Sequence, residues 1–180
     1  MYSNYNGINV YKNIVEPEFC NTLIDIFKQN RNSSMAIDED YGAGSNVKCR
    51  GLMTTTFESI DERLFDIIRD ILKRAQVDNP YLQCSGDSGY QLREIYGATK
   101  LHIDSVLDYS DPTKARTVAV IIALNSDYDG GEFNFPFQNF KTKLKQGEVI
   151  IFPAAHTHPH EVSSPENGTL RYTINTWLFA

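Results

Sequence analysis

The spacing of apolar residues changes near residue 80: before it they recur at helical intervals, after it they fall in short alternating or continuous runs. Phe19, Leu23, Ile26 and Phe27 share one helical face, and Glu16-Pro17-Glu18 puts a proline and acids where a first helical turn favours them. A short strand around Ile8, Val10 and Ile14 leads into that helix. Ile60, Leu64, Ile67, Ile68, Ile71, Leu72 and Ala75 form a second stripe, which predicts a helix capped by Ser59, ended at Asn79-Pro80 and packed on a sheet.

From Tyr90 the pattern predicts eight strands: 90–96, 100–104, 116–124, 131–135, 140–145, 149–152, 160–163 and 170–178. Turn residues separate them at Gly97, Asp111-Pro112, Asp129-Gly130-Gly131, Gln146-Gly147 and Asn167-Gly168. Eight short strands fit a sandwich or jelly roll. Helices followed by strands give an α+β class with N-terminal helices packed on one sheet. One domain over 1–180 is expected, with a helical support region to about residue 80 and a jelly-roll core from about residue 81. The polar stretch from Asn30 to Gly51, with Gly42 and Gly44, has neither period and reads as a lid beside a site or as a surface loop.

Composition narrows the class. A chain of 180 residues buries one core, so one site is sought. A net charge of −6 disfavours a surface built for phosphate backbones, and no nucleic-acid partner is expected. The longest apolar run, Thr117 to Leu124, is far short of the roughly 20 residues of a membrane span, and no membrane partner is expected. The start MYSNYNGINV lacks the basic and apolar regions of a signal peptide. Cys20, Cys49 and Cys84 are odd in number and widely spaced, which fits a reducing compartment, so a soluble cytoplasmic protein is expected. The sequence carries no signal for oligomeric state.

The candidate chemistry rests on histidines. In the predicted strand Leu101-His102-Ile103-Asp104, a period of two turns His102 and Asp104 to one face. One more histidine would complete a two-His, one-carboxylate face, the pattern of non-haem iron(II) oxygenases with open metal positions. His156, His158 and His160 follow the apolar strand Val149-Ile150-Ile151-Phe152, and one of them is the expected third ligand. A His-rich patch of its own, or a polar loop, is the competing reading of that cluster. Arg171 shares a strand face with Thr173. Turned into a sheet interior it needs an anionic partner, which a dicarboxylate supplies through a bidentate fork; an ordinary structural ion pair is the alternative.

In order along the chain stand Tyr90-Gln91-Leu92-Arg93-Glu94-Ile95-Tyr96-Gly97, His102-x-Asp104, Leu124-Asn125 through Tyr128-Asp129-Gly130-Gly131-Glu132-Phe133, Gly147 through Pro153, His160-Glu161-Val162, Gly168 through Tyr172, and Trp177-Leu178. This set resembles the 2-oxoglutarate and iron(II)-dependent oxygenase superfamily, in particular its prolyl 4-hydroxylase-like branch, over about the second half of the chain. The resemblance implies a double-stranded β-helix with iron on His102, Asp104 and His160, His160 being selected by the valine two positions after it. It implies that Arg171 holds the distal carboxylate of 2-oxoglutarate, that Thr173 assists, and that Tyr96 lines the cosubstrate pocket. Some members place a tyrosine where this chain has Ala123.

The chemistry implied is decarboxylation of 2-oxoglutarate to succinate coupled to hydroxylation of a C–H bond, with ascorbate keeping iron reduced. Retention of Asp104 fits hydroxylation, since related halogenases lose this carboxylate. A prolyl residue in a peptide or protein is the expected substrate. The alternatives are a free amino acid or other small molecule, and, from another class, a non-catalytic jelly roll that binds a ligand.

Overall fold

The computed structural model describes residues 2–37, 40–41, 45–46, 49–105 and 115–180, with backbone alone at 2–5, 40–41 and 45–46. In chain order the elements are β1 (Tyr2–Tyr5), β2 (Ile8–Tyr11), α1 (Pro17–Gln29), β3 (Met35–Ile37), β4 (Asp40–Tyr41), β5 (Ser45–Asn46), β6 (Cys49–Met53), α2 (Glu58–Asp78), β7 (Gly86–Asp87), β8 (Gln91–Ile95), β9 (Thr99–His102), β10 (Arg116–Ala123), β11 (Asp129–Gly130), β12 (Phe133–Phe135), β13 (Phe140–Thr142), β14 (Val149–Pro153), β15 (His160–Val162), β16 (Pro165–Glu166) and β17 (Arg171–Phe179).

Every one of the eight strands expected after Tyr90 is present, as β8, β9, β10, β12, β13, β14, β15 and β17. They divide between a major sheet, in the order β1-β2-β14-β10-β17-β8-β6-β3 with β7 on β17, and a minor sheet, β13-β12-β15-β9. All of these pairs are antiparallel. The strands β10 and β14 read as near-continuous apolar runs because both faces of the major sheet are covered. On one face Val118, Val120, Ile122, Val149, Ile151, Ile174 and Leu178 pack with Phe19, Leu23 and Phe27 of α1 and Leu64, Ile68 and Ile71 of α2. On the other, Ala119, Ile121, Ile150 and Phe152 meet Phe133, Phe135 and Val162 of the minor sheet. This is the jelly-roll interior, and helices packed on one sheet close its back.

The first 80 residues are less purely helical than their periodicity implies. Here β1 and β2 extend one edge of the major sheet against β14, while β3 and β6 extend the other against β8. Gly51, which reads as a loop breaker, sits inside β6, where a Cβ would come within 2.5 Å of the Ile37 side chain. A side chain at this position would have to displace the tip of Ile37. The Asn30–Gly51 stretch is therefore partly sheet, and β5 approaches β9. Gly42, Gly44 and the Asp111-Pro112 breaker lie outside the described residues.

Ser59 is not the cap of α2. That helix starts at Glu58, and the Phe57 carbonyl receives the Ile60 and Asp61 amides without a side-chain cap. Among the described residues no helix is long and apolar enough to cross a membrane.

Candidate metal and cosubstrate site

His102 ends β9 and His160 begins β15; the two are directly paired across the antiparallel ladder. Asp104, two residues beyond His102, completes the group. Its Oδ1 lies 3.3 Å from His102 Nε2 and its Oδ2 lies 3.6 Å from His160 Nε2. One ligand atom from each residue falls within 4.8 Å of the others, and this is the group of metal-binding type found among the described residues.

The tautomers follow from the second partners. His102 Nδ1 is 2.9 Å from the Lys100 carbonyl oxygen, and His160 Nδ1 is 3.3 Å from the His158 carbonyl oxygen. A carbonyl only accepts, so each Nδ1 carries the proton and each Nε2 turns its lone pair toward the group. His160 is buried, with its ring stacked 5.2 Å from Phe135 and edge-on 4.7 Å from Phe152.

The charges are tuned in different directions. Burial opposes ionisation of Asp104, but the neighbouring His160 and His102 and a hydrogen bond from Trp177 hold its carboxyl down at about 2. Burial also works against protonated His102, yet the Asp104 hydrogen bond and charge lift it above its ordinary value. Burial dominates at His160 and lowers it. A carboxylate and two neutral imidazoles with Nε2 lone pairs facing one another are a donor set suited to Fe(II) with positions left open.

Across the interior, β17 begins with Arg171, only 5% exposed. Its Nε and Nη1 make no hydrogen bond among the described residues. The guanidinium lies over the Phe133 ring at 5.3 Å. Burial, with the Arg93 charge nearby, lowers its pKa to about 10. A buried cation with unmet donors is costly, and an anionic partner would offset that cost. Gly131 (φ +69°) makes room for it, since a Cβ there would meet the Tyr128 ring at 2.5 Å and Arg171 Cδ at 3.3 Å.

Thr173 shares the inward face with Arg171 and is buried; its hydroxyl donates to Asn175 Oδ1 at 2.6 Å. Ala123 stands directly across the ladder from Thr173. Tyr96 is the half-exposed residue of the set. It lies one residue past the end of β8 and is 40% exposed, while Ile95 takes the position opposite Arg171. His156 is exposed and His158 points away from the ligand group toward Asn6.

The family model of the 2OG-Fe(II) oxygenase superfamily matches residues 90–179, half of the chain. The chain belongs to the 2OG-Fe(II) oxygenase superfamily. This oxygenase is a 2-oxoglutarate-dependent dioxygenase whose cofactors are Fe(II) and 2-oxoglutarate. No curated protein sequence matches it.

Solved structures share its fold. A viral collagen prolyl hydroxylase from Paramecium Bursaria Chlorella virus-1, in complex with 2OG, is 17% identical with a TM-score of 0.73, over 97% of this chain and 96% of that one. A Trichoplax adhaerens prolyl hydroxylase in complex with a hypoxia inducible factor peptide fragment is 17% identical, with a TM-score of 0.75 over 97% and 84%. A Pseudomonas putida prolyl-4-hydroxylase is 17% identical, with a TM-score of 0.67 over 96% and 92%.

Several residues that shape the oxygenase site escape sequence reasoning. Phe133 and Phe135, one turn of the pleat apart on β12, carry the Arg171 guanidinium and the His160 ring respectively. Trp177 faces inward six positions after Arg171, with the Arg116 guanidinium 4.0 Å and the Arg93 guanidinium 5.2 Å from its ring. The available signal was the strand period, which places Trp177 on the Arg171 face and Phe135 on the Phe133 face.

Proposed function

We propose that this dioxygenase hydroxylates a prolyl residue in a peptide or protein, with Fe(II) on His102, Asp104 and His160 and the distal carboxylate of 2-oxoglutarate on Arg171. The observation that carries the cosubstrate assignment is the buried Arg171, whose Nε and Nη1 are unpaired among the described residues and which faces the same interior as the metal group. Thr173 would assist that carboxylate by turning its O–H from Asn175 Oδ1 toward it, and the half-exposed Tyr96 would line the pocket.

The bound iron and keto acid supply the oxidising chemistry. The chain's own residues do the rest. His102 and His160 present Nε2 lone pairs held by their Nδ1–H bonds, and Asp104 offers a carboxylate that stays ionised at neutral pH. Phe133, Phe135 and Phe152 wall this interior with apolar rings and keep water from the ligands. The fold likeness to three prolyl hydroxylases, over nearly the full length of this chain, supports a prolyl substrate. Three free cysteines, two of them buried, fit a reducing cytoplasmic setting.

Purified protein supplied with Fe(II), ascorbate and 2-oxoglutarate is expected to add one oxygen to proline in a panel of proline-containing peptides, read by mass spectrometry. Oxidation of free amino acids with no peptide modified would overturn the prolyl reading. Absence of succinate under any condition would overturn the site assignment as well.

A further inference from the structure

Of the three histidines between 156 and 160, His158 is buried with both ring nitrogens engaged. Its Nε2 lies 2.9 Å from the Asn6 carbonyl oxygen, so Nε2 carries the proton and Nδ1 accepts from the Thr157 hydroxyl at 2.9 Å. That tautomer leaves no lone pair for a metal. The backbone of His158 nonetheless reaches the ligand group, because its carbonyl accepts the Nδ1–H of His160.

The same loop is tied at several points. His158 N–H donates to the Ala155 carbonyl, and Ser105 N–H, next to Asp104, donates to the Ala154 carbonyl, each at 2.9 Å. On the far side, Asn6 and Gly7 form the turn of the β1–β2 hairpin, with φ of 48° and 91°. A Cβ on Gly7 would lie 3.2 Å from His158 Nε2, so the glycine lets the turn sit directly on the imidazole.

We propose that His158 is a positioning residue for the iron site: its bond to Asn6 fixes the 154–158 loop, and the fixed His158 carbonyl aims His160 Nε2 at the metal. The inference rests on the assignment of iron to His102, Asp104 and His160. If the carbonyl drifts, the His160 ring is free to turn and its lone pair loses direction. Changes to such outer partners typically lower metal affinity by about 10- to 100-fold.

The test is anaerobic titration of the metal-free chain with Co(II), followed by its visible absorption, with melting temperatures recorded alongside. Wild type is expected to bind Co(II) and His160→Ala to lose the band. His158→Leu, which fills the ring volume without a donor, is expected to bind about 10-fold more weakly with an altered band. His158→Gln, whose amide reaches toward the Asn6 carbonyl, is expected to recover most of the affinity. Gly7→Val presses on the same bond from the hairpin side and carries the test if His158→Leu does not fold. Failure of the wild type or of the His160→Ala control overturns the iron assignment and this inference together. If those controls hold while the folded His158 or Gly7 variant keeps wild-type affinity and spectrum, the inference alone is overturned, even where the melting temperature falls.

Discussion

His102 and His160 are paired across the β9–β15 ladder, and each donates its Nδ1–H to the carbonyl oxygen two residues earlier in the chain, Lys100 and His158 respectively. The repeated arrangement makes the two imidazoles equivalent in tautomer. Both Nε2 atoms then converge on Asp104, one on each carboxylate oxygen.

Under the proposed assignment, loss of either ring removes a ligand outright. His102→Ala or His160→Ala is expected to weaken Fe(II) binding by more than the roughly 10- to 100-fold typical of an outer partner, and to stop succinate formation. Asp104→Ala is expected to do the same by removing the carboxylate. Wild-type succinate production by any of the three would remove that residue from the ligand set.

Arg171 separates stability from function. A base whose folded pKa falls from 12.5 to about 10 destabilises the fold at every pH below about 10, and that cost fades as pH rises from about 10 toward 12.5. The shift corresponds to on the order of 3 kcal/mol. Arg171→Met, which replaces the cation with an apolar side chain, is expected to leave the melting temperature of the metal-free protein unchanged or raise it. The stabilisation given by added 2-oxoglutarate should vanish, with its requirement raised roughly 10- to 100-fold as charge-assisted hydrogen bonds are lost. A lower melting temperature with the 2-oxoglutarate effect intact would refute the assignment.

Iron binding should weaken in acid, and His102 should set where. Metal ligation needs both imidazoles unprotonated. The Asp104 contact outweighs burial and lifts His102 above 6.5, whereas burial lowers His160, so His102 takes up the first proton as pH falls. Asp104, at about 2, stays ionised throughout. Affinity is expected to fall about tenfold per pH unit below the pKa of His102. In the metal-free protein the sign reverses for this group: its stabilisation is complete below 6.5 and is lost as pH rises through the higher folded value, while His160 runs the other way. Titrations at several pH values with the chelated protein as reference check this; a flat affinity profile from pH 8 to pH 5, roughly the span over which histidine charge changes, would contradict it.

Why some of this was legible in sequence and some was not has a physical basis. A strand period of two is short-ranged, so His102 with Asp104 and Arg171 with Thr173 could be assigned to shared faces from neighbouring letters alone. Of the eight strands after Tyr90, β10 and β14 read as apolar runs because both faces of the major sheet are buried, and turn residues mark the limits of the others. β3 and β6 were hidden because their partners are remote: Arg50 donates to Ser34 and Gly51 packs under Ile37. The resemblance selects His160 among the three histidines by the valine two positions after it, but the place of His158 is set by Asn6, more than a hundred positions away. No local pattern encodes such a contact.

Gly131 couples the Gly-Gly turn to Arg171, the proposed cosubstrate anchor. Its φ of +69° is one that side chains rarely adopt, and a Cβ would meet the Tyr128 ring at 2.5 Å and Arg171 Cδ at 3.3 Å. Gly131→Ala should therefore cost about 1–3 kcal/mol of stability through backbone strain. It should also displace either the ring or the guanidinium stem. Because Arg171 lies between this turn and Phe133, the stem has little room to yield without moving the guanidinium. Calorimetry on the folded variant is expected to show weaker 2-oxoglutarate binding with Fe(II) affinity retained, because a Cβ at Gly131 meets Tyr128 and Arg171 and none of the proposed metal ligands His102, Asp104 and His160. Unchanged 2-oxoglutarate affinity would mean that Tyr128 alone absorbs the added methyl group.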